Sequence, residues 1–148
     1  MHGSLSITTE GKMTDQEFAE IFALRHEVRG VEFKGPGPWS DRQLFAQVVR
    51  AVLGMANRRD GGTLVIGVED NGGVLNPVGL SAGDLVTWRY DDMADGVASY
   101  ADPSVGFELE VKEYNGGNYI VLNVEEFTDI PVCARGPTRV FCGRAPAT

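Results

Sequence analysis

An α+β domain, built on a mixed β-sheet with two hairpins and covered by two to three helices, is the fold this sequence predicts. Three observations carry that expectation. Capping boxes precede two stretches with apolar residues at helical spacing. Strand-like runs, one continuously apolar and the others alternating, flank Asn-Gly turns at two further places. The signals also run in the order helix, strand, helix, hairpin, helix, hairpin, strands, which mixes the two element types within one layer scheme.

Thr14-Asp-Gln-Glu17 opens a first helix over about Asp15 to His26, with Phe18, Ile21, Phe22 and Leu24 directed inward. Gly30 breaks it, and Val31 to Lys34 reads as a short strand. Strand side chains alternate, so Val31 and Phe33 share one face while Glu32 and Lys34 share the other. Gly35-Pro-Gly-Pro38 is a rigid loop. Ser40-Asp-Arg-Gln43 is a second capping box, and the helix that follows, to about Asn57, carries Leu44, Phe45, Val48, Val49, Val52, Leu53 and Ala56 at helical spacing.

Arg58 to Gly62 leads into an apolar strand, Thr63 to Val68, and Asp70-Asn-Gly-Gly73 has the chemistry of a tight hairpin with its return at Val74-Leu75. Ser81 to Asp84 caps a third helix running to about Ala101, weakened inside by Gly96. Phe107 to Tyr114 and Tyr119 to Val124 alternate around Asn115-Gly-Gly117 as a second hairpin. Ile130 to Cys133 and Arg139 to Cys142 read as two short closing strands. No internal repeat or interdomain linker is visible.

With 148 residues and 43% hydrophobic content, one domain over residues 14–148 can bury a sizeable core. Residues 1–13 are expected to be a flexible leader. No stretch reaches the roughly 18 consecutive apolar residues that span a bilayer, so no membrane partner is expected. Two cysteines, Cys133 and Cys142, suit a reducing compartment and place the protein in the cytoplasm. A net charge of −8 excludes a protein that simply coats nucleic acid, which needs abundant clustered Lys and Arg. The charge is segregated, however. Acidic residues crowd the middle and later chain, whereas Arg25, Arg29, Lys34, Arg42, Arg50, Arg58 and Arg59 concentrate early.

The chemistry-bearing stretch is Glu27-Val-Arg-Gly-Val-Glu32-Phe-Lys34, together with Asp70 beyond the apolar strand. Two carboxylates about 4 Å apart repel by roughly 4 kcal/mol at an effective dielectric near 20. Such acids are therefore either apart in space or gathered around a cation. Divalent metal, carboxylates and lysine together are the components of phosphodiester chemistry. Each signal alone has a plainer explanation: Glu32 and Lys34 as a solvated pair, Asp70 as turn chemistry before Asn-Gly, Glu27 as a charge near a helix end. Gly61-Gly62 follows a helix and precedes a strand, the reverse of a phosphate-cradling loop, and reads as a helix stop. The histidines form no metal set. Trp39, Trp88 and Tyr90 could stack bases, but core or surface packing accounts for them more simply.

In order along the chain, Arg29-Gly-Val-Glu-Phe-Lys34, Ala51-Val-Leu-Gly-Met-Ala-Asn57 and Gly61-Gly-Thr-Leu-Val-Ile-Gly-Val-Glu-Asp70 resemble the Schlafen-type AlbA-like domain. The similarity runs from about Glu27 to the end. It implies a nucleic-acid-processing domain, most concretely a metal-dependent endoribonuclease acting on structured RNA such as tRNA. The alternative is a non-catalytic DNA- or nucleotide-binding regulatory module. Under the first, Glu27, Glu32 and Asp70 would hold Mg²⁺ or Mn²⁺, and Lys34 would complete the catalytic set. Arg29, Lys34, Arg58, Arg59 and Arg144 would contact nucleic acid, RNA in preference to DNA. Glu32, Lys34 and Asp70 are expected on one side of a shared sheet, and a homodimer is expected to enlarge a short basic face. The chain departs from the family pattern at Arg58-Arg59-Asp60, where small polar residues are usual, and at Pro146, where glycine is usual.

Overall fold

The computed structural model describes residues 14–24, 30–102, 105–126, 133–135 and 140–142. Helix α1 spans Asp15–Leu24 and begins with the reciprocal cap expected of Thr14 and Glu17. The Glu17 amide donates to Thr14 Oγ1 at 3.1 Å, and the Thr14 amide donates to Glu17 Oε1 at 2.9 Å. Strand β1, Val31–Lys34, alternates as anticipated, with Val31 and Phe33 buried and Glu32 and Lys34 partly exposed. Helix α2, Arg42–Ala56, starts one residue later than its capping box suggests. Its cap is Asp41, whose Oδ1 accepts the amides of Gln43 at 2.9 Å and Leu44 at 3.1 Å. A carboxylate at this position also suits the positive end of the helix dipole.

Strand β2 is Gly62–Ile66, and the hairpin strands β6, Phe107–Tyr114, and β7, Gly117–Val124, join it in a four-stranded sheet ordered β1-β2-β7-β6. β1 runs parallel to β2, and the other pairs are antiparallel. The mixed sheet is therefore present, but it holds only one of the two hairpins. Strands β3, Val68–Asn71, and β4, Val74–Pro77, form a separate two-stranded ribbon. Gly67 causes the separation. Its φ is +120°, and a Cβ there would sit 2.8 Å from the Tyr119 ring and 2.9 Å from Leu80. Only glycine turns the chain out of β2 at this point.

The third expected helix is two. Ser81 caps the short α3, Ala82–Leu85, and α4 follows at Tyr90–Ala98. The break serves the core. Thr87 donates its hydroxyl to the Asp84 carbonyl at 2.7 Å and accepts the Trp39 amide at 2.8 Å. Trp88 is then buried, with its indole N–H on the Gly37 carbonyl at 2.9 Å. A third small sheet, ordered β5-β8-β9, comprises β5 (Ala101–Asp102), β8 (Cys133–Arg135) and β9 (Val140–Cys142). Cys133 and Cys142 are register partners there. The remaining parts of the two expected closing strands lie outside the described residues.

Two cores sandwich the main sheet. On one face, Val48, Val52 and Met55 of α2, with Trp88 and Met93, pack on Leu64, Ile66, Ile120 and Leu122. On the other, Phe18, Ile21 and Phe22 of α1 meet Val31, Phe33, Val65 and Val121, joined by Val68 and Leu75 of the ribbon. Trp39, Trp88 and Phe45 form an aromatic cluster within the first core, with ring centroids 4.8 Å and 5.3 Å from Trp39. The tryptophans are thus packing residues and offer no platform for bases. Tyr90 is half exposed and leans on Phe107 at 5.2 Å.

Candidate functional site

β1 is an edge strand of the main sheet, so one side of its backbone has no strand partner there. Register sets its side-chain directions: Glu32 opposes Leu64 and Lys34 opposes Ile66, so both acid and lysine lie on the α2 face. Two adjoining hollows, about 250 and 580 Å³ in volume, share Glu32, Lys34, Gln47 and Arg58 and together make one open cleft. Arg50, Gly54 and Met55 of α2 line its helical side. The glycine-flanked backbone of β1 lines its floor, and Val68 and Asp70 of β3 close the far side.

Asp70 reaches this cleft by a different route from the expected one. It does not share a sheet with Glu32, because Gly67 diverts β3 into the ribbon. The ribbon packs its Val68 and Leu75 into the α1-side core. It nevertheless passes the free edge of β1, which brings Asp70 to the cleft that Glu32 and Lys34 line from the other side. The predicted common face is therefore replaced by a common cleft formed from two sheets.

Local partners account for part of each group's charge. Lys34 Nζ lies 3.3 Å from Glu32 Oε2, with the lysine about a quarter exposed. A half-solvated pair of this kind contributes at most about 1 kcal/mol, but it gives Glu32 a counter-charge without a metal. Asp70 Oδ1 accepts the Gly73 amide at 2.8 Å, the turn chemistry anticipated for an aspartate before Asn-Gly. Glu27 and Arg29, as well as Arg144, lie outside the described residues. Among the described residues no three His, Cys, Asp or Glu side chains converge as a ligand set.

Arg58 lines the cleft, whereas Arg59 is exposed and lines neither hollow. Gln47 and Arg50 were not singled out as site residues, yet both line the cleft. The signal was available: Gln47, Arg50 and Gly54 recur at three- and four-residue steps on the flank of α2 beside the apolar stripe of Val48, Val52 and Met55, and Arg58 continues the spacing just past the helix cap. Neither Arg50 nor Arg58 has a carboxylate in ion-pair range among the described residues. Gly61-Gly62 is structural. Gly61 has φ +66°, its amide donates to the Arg58 carbonyl at 3.1 Å, and any Cβ would collide with the Val124 carbonyl. α2 already ends at Ala56 with Asn57 as its cap, so the pair forms the tight entry into β2 rather than the helix stop, and neither glycine lines the cleft.

No described helix is long and apolar enough to cross a membrane. No curated protein of known function matches this chain. Among solved structures, the fold is similar to the N-terminal domain of a RecG-related protein from Nitrosomonas europaea. That likeness has a TM-score of 0.59 and 22% identity, over 85% of this chain and 83% of that one. The DIP2311 protein of Corynebacterium diphtheriae is also similar, with a TM-score of 0.53 and 18% identity, over 83% of this chain but 25% of that protein. At such identities the likeness speaks for the fold. The family model described as Schlafen, AlbA_2 matches residues 27–144, from Glu27 through the cleft-forming elements to Arg144. The chain therefore belongs to the Schlafen AlbA_2 family, which marks it as a nucleic-acid-related domain.

Proposed function

We propose that this domain binds a nucleic-acid strand in the cleft between β1, α2 and the ribbon, holding its phosphates with Lys34, Arg50 and Arg58. One observation carries the reading. In a chain of net charge −8, three cations line one open cleft, and the two arginines have no carboxylate partner among the described residues. An unpaired guanidinium is a planar, always-charged donor suited to a phosphate. RNA is the favoured ligand and DNA the control, and the working compartment is the cytoplasm. Arg29, Arg59 and Arg144 would extend the contact beyond the cleft.

A specific arrangement favours a second, catalytic reading. Glu32 and Asp70 come from different sheets and still line the cleft that holds Lys34. Two hard carboxylates suit Mg²⁺ or Mn²⁺, since Mg²⁺ is commonly held by one or two carboxylates, with the substrate's phosphates and water completing its shell. Glu32 and Asp70, with Glu27, would hold the ion, which would supply charge neutralisation at a phosphate under attack. Lys34 would steady the same phosphate, and Arg50 and Arg58 would fix the flanking strand, so that scissile geometry is set before reaction. The reaction would be endonucleolytic cleavage of structured RNA such as tRNA.

The test is incubation of the full chain with tRNA and with single-stranded DNA, with Mn²⁺ or with chelator, resolved on a denaturing gel beside a binding assay. Cleavage of tRNA that needs Mn²⁺ and is lost in Glu32→Gln and Asp70→Asn supports the nuclease. Intact RNA with binding retained leaves the non-catalytic module. Absence of binding to either ligand refutes both readings.

A further inference from the structure

Gly54 lies in the last turns of α2, exposed, between Arg50 and Arg58 on the cleft wall. Glycine inside a helix is less stable than alanine there, because its unfolded backbone has more freedom to lose. Packing usually explains such a glycine. Gly96 in α4 is the example here: a Cβ would lie 2.8 Å from Trp39 and 2.9 Å from Phe45. Gly54 has no such reason. A Cβ at Gly54 would meet nothing within 4 Å, and its φ is not in the left-handed region. Among the described residues nothing makes use of this weak point in the helix.

The surroundings of Gly54 supply a use outside the fold. At 1.5 Å rise per residue, Gly54 stands about 6 Å along the axis from Arg50, and Arg58 follows just past the α2 cap residue Asn57. Gly54 is therefore a bare stretch of helix backbone between two arginines that have no carboxylate partner among the described residues. The cleft also lacks an available stacking ring: among its described lining residues the aromatic is Phe33, which is 8% exposed and packed in the α1-side core. Phosphates and sugars match this lining better than bases do.

We propose that Gly54 is the close-approach point of the cleft, where the missing side chain lets a sugar–phosphate backbone settle against α2 between Arg50 and Arg58. The proposal rests on the nucleic-acid reading of the cleft. It is tested in the full chain by Gly54→Ala and Gly54→Leu, with Arg50→Ala reporting on the cleft itself. Melting temperature is measured alongside fluorescence anisotropy with a labelled RNA hairpin. Gly54→Ala should melt roughly 2–5 °C higher, as a gain in helix propensity requires. The same change should weaken RNA binding about fivefold, and Gly54→Leu more than tenfold. A lower melting temperature for Gly54→Ala would mean that the glycine is structural, and would overturn the proposal. Unchanged affinity in both glycine variants, with Arg50→Ala weakened, overturns the proposal and leaves the cleft reading standing. Unchanged affinity in all three overturns both.

Discussion

Salt dependence gives the most direct measure of how many phosphates the cleft would engage on the proposed reading. Among the described residues, Lys34, Arg50 and Arg58 are the cations that line it. If each displaces one counterion from duplex DNA, log K should fall against log salt with a slope of about −2.7, or about −2.1 for a single strand. Between 50 and 200 mM salt, the first slope amounts to a roughly 40-fold loss of affinity. Arg58→Ala should reduce the slope by about 1, and Arg50→Ala together with Arg58→Ala should leave a loss of only about fourfold over that range. Both arginines are exposed, and no described ion pair depends on them, so the variants should melt like the parent. The assay is anisotropy titration at several salt concentrations, with a thermal melt of each variant. Parallel slopes for parent and double variant would show that binding occurs elsewhere and would refute the cleft assignment.

Three further outcomes follow from the geometry. Asp41→Ala removes the acceptor of two amides at the start of α2 and should cost about 1 kcal/mol, read as a fall of a few degrees in melting temperature; no change would remove Asp41 as the cap. Burial lowers the pKa of Lys112, but its hydrogen bond to Asp15 and the charge of Glu110 outweigh this and raise it; burial also raises Tyr119. Groups raised on folding give stability that is complete below their unfolded values near 10 and is lost as pH climbs through the folded values. Melting temperature should therefore hold from pH 7 to about 9 and fall above 10, with Lys112→Met flattening part of that fall. The three described cations that line the cleft would neutralise few phosphates and leave a monomer's binding weak, so we infer a homodimer that doubles the basic face. Light scattering that reports a monomer at high protein concentration, with RNA binding intact, would refute it.

Most of the fold was legible because its signals are local. Thr14 and Glu17 cap each other across a single turn. The α2 stripe needs only helical spacing, and all its expected inward residues are buried except Phe45, which packs from the margin on Trp39. Asn115 and Gly116, with φ of +50° and +80°, make the tight turn that the β6–β7 hairpin required. The misread features depend on distant partners. Nothing near Val86 to Arg89 announces a helix break; it is decided by Trp88, whose indole is held by Gly37 fifty-one positions away in the chain. Likewise Gly67 reads as one more glycine until Tyr119 and Leu80 are seen against it.

The site was legible in the same divided way. Alternation along β1 put Glu32 and Lys34 together, and the structure shows them paired at 3.3 Å. The company they keep follows from tertiary placement: α2 lies against that face of β1, and the ribbon folds past its edge. This also changes the meaning of the departure at Arg58-Arg59-Asp60. Arg58 follows directly after the α2 cap residue Asn57, and its backbone carbonyl accepts the Gly61 amide in the turn that leads into β2. Its side chain is thereby carried to the cleft, while neighbouring Arg59 is not. Of the two arginines that stand where the resemblance expects small polar residues, Arg58 is the one the turn brings into the cleft. On the proposed reading, an acidic chain would need no general excess of lysine and arginine to hold a phosphate backbone, because its cations line one cleft and two of them, Arg50 and Arg58, have no carboxylate partner among the described residues.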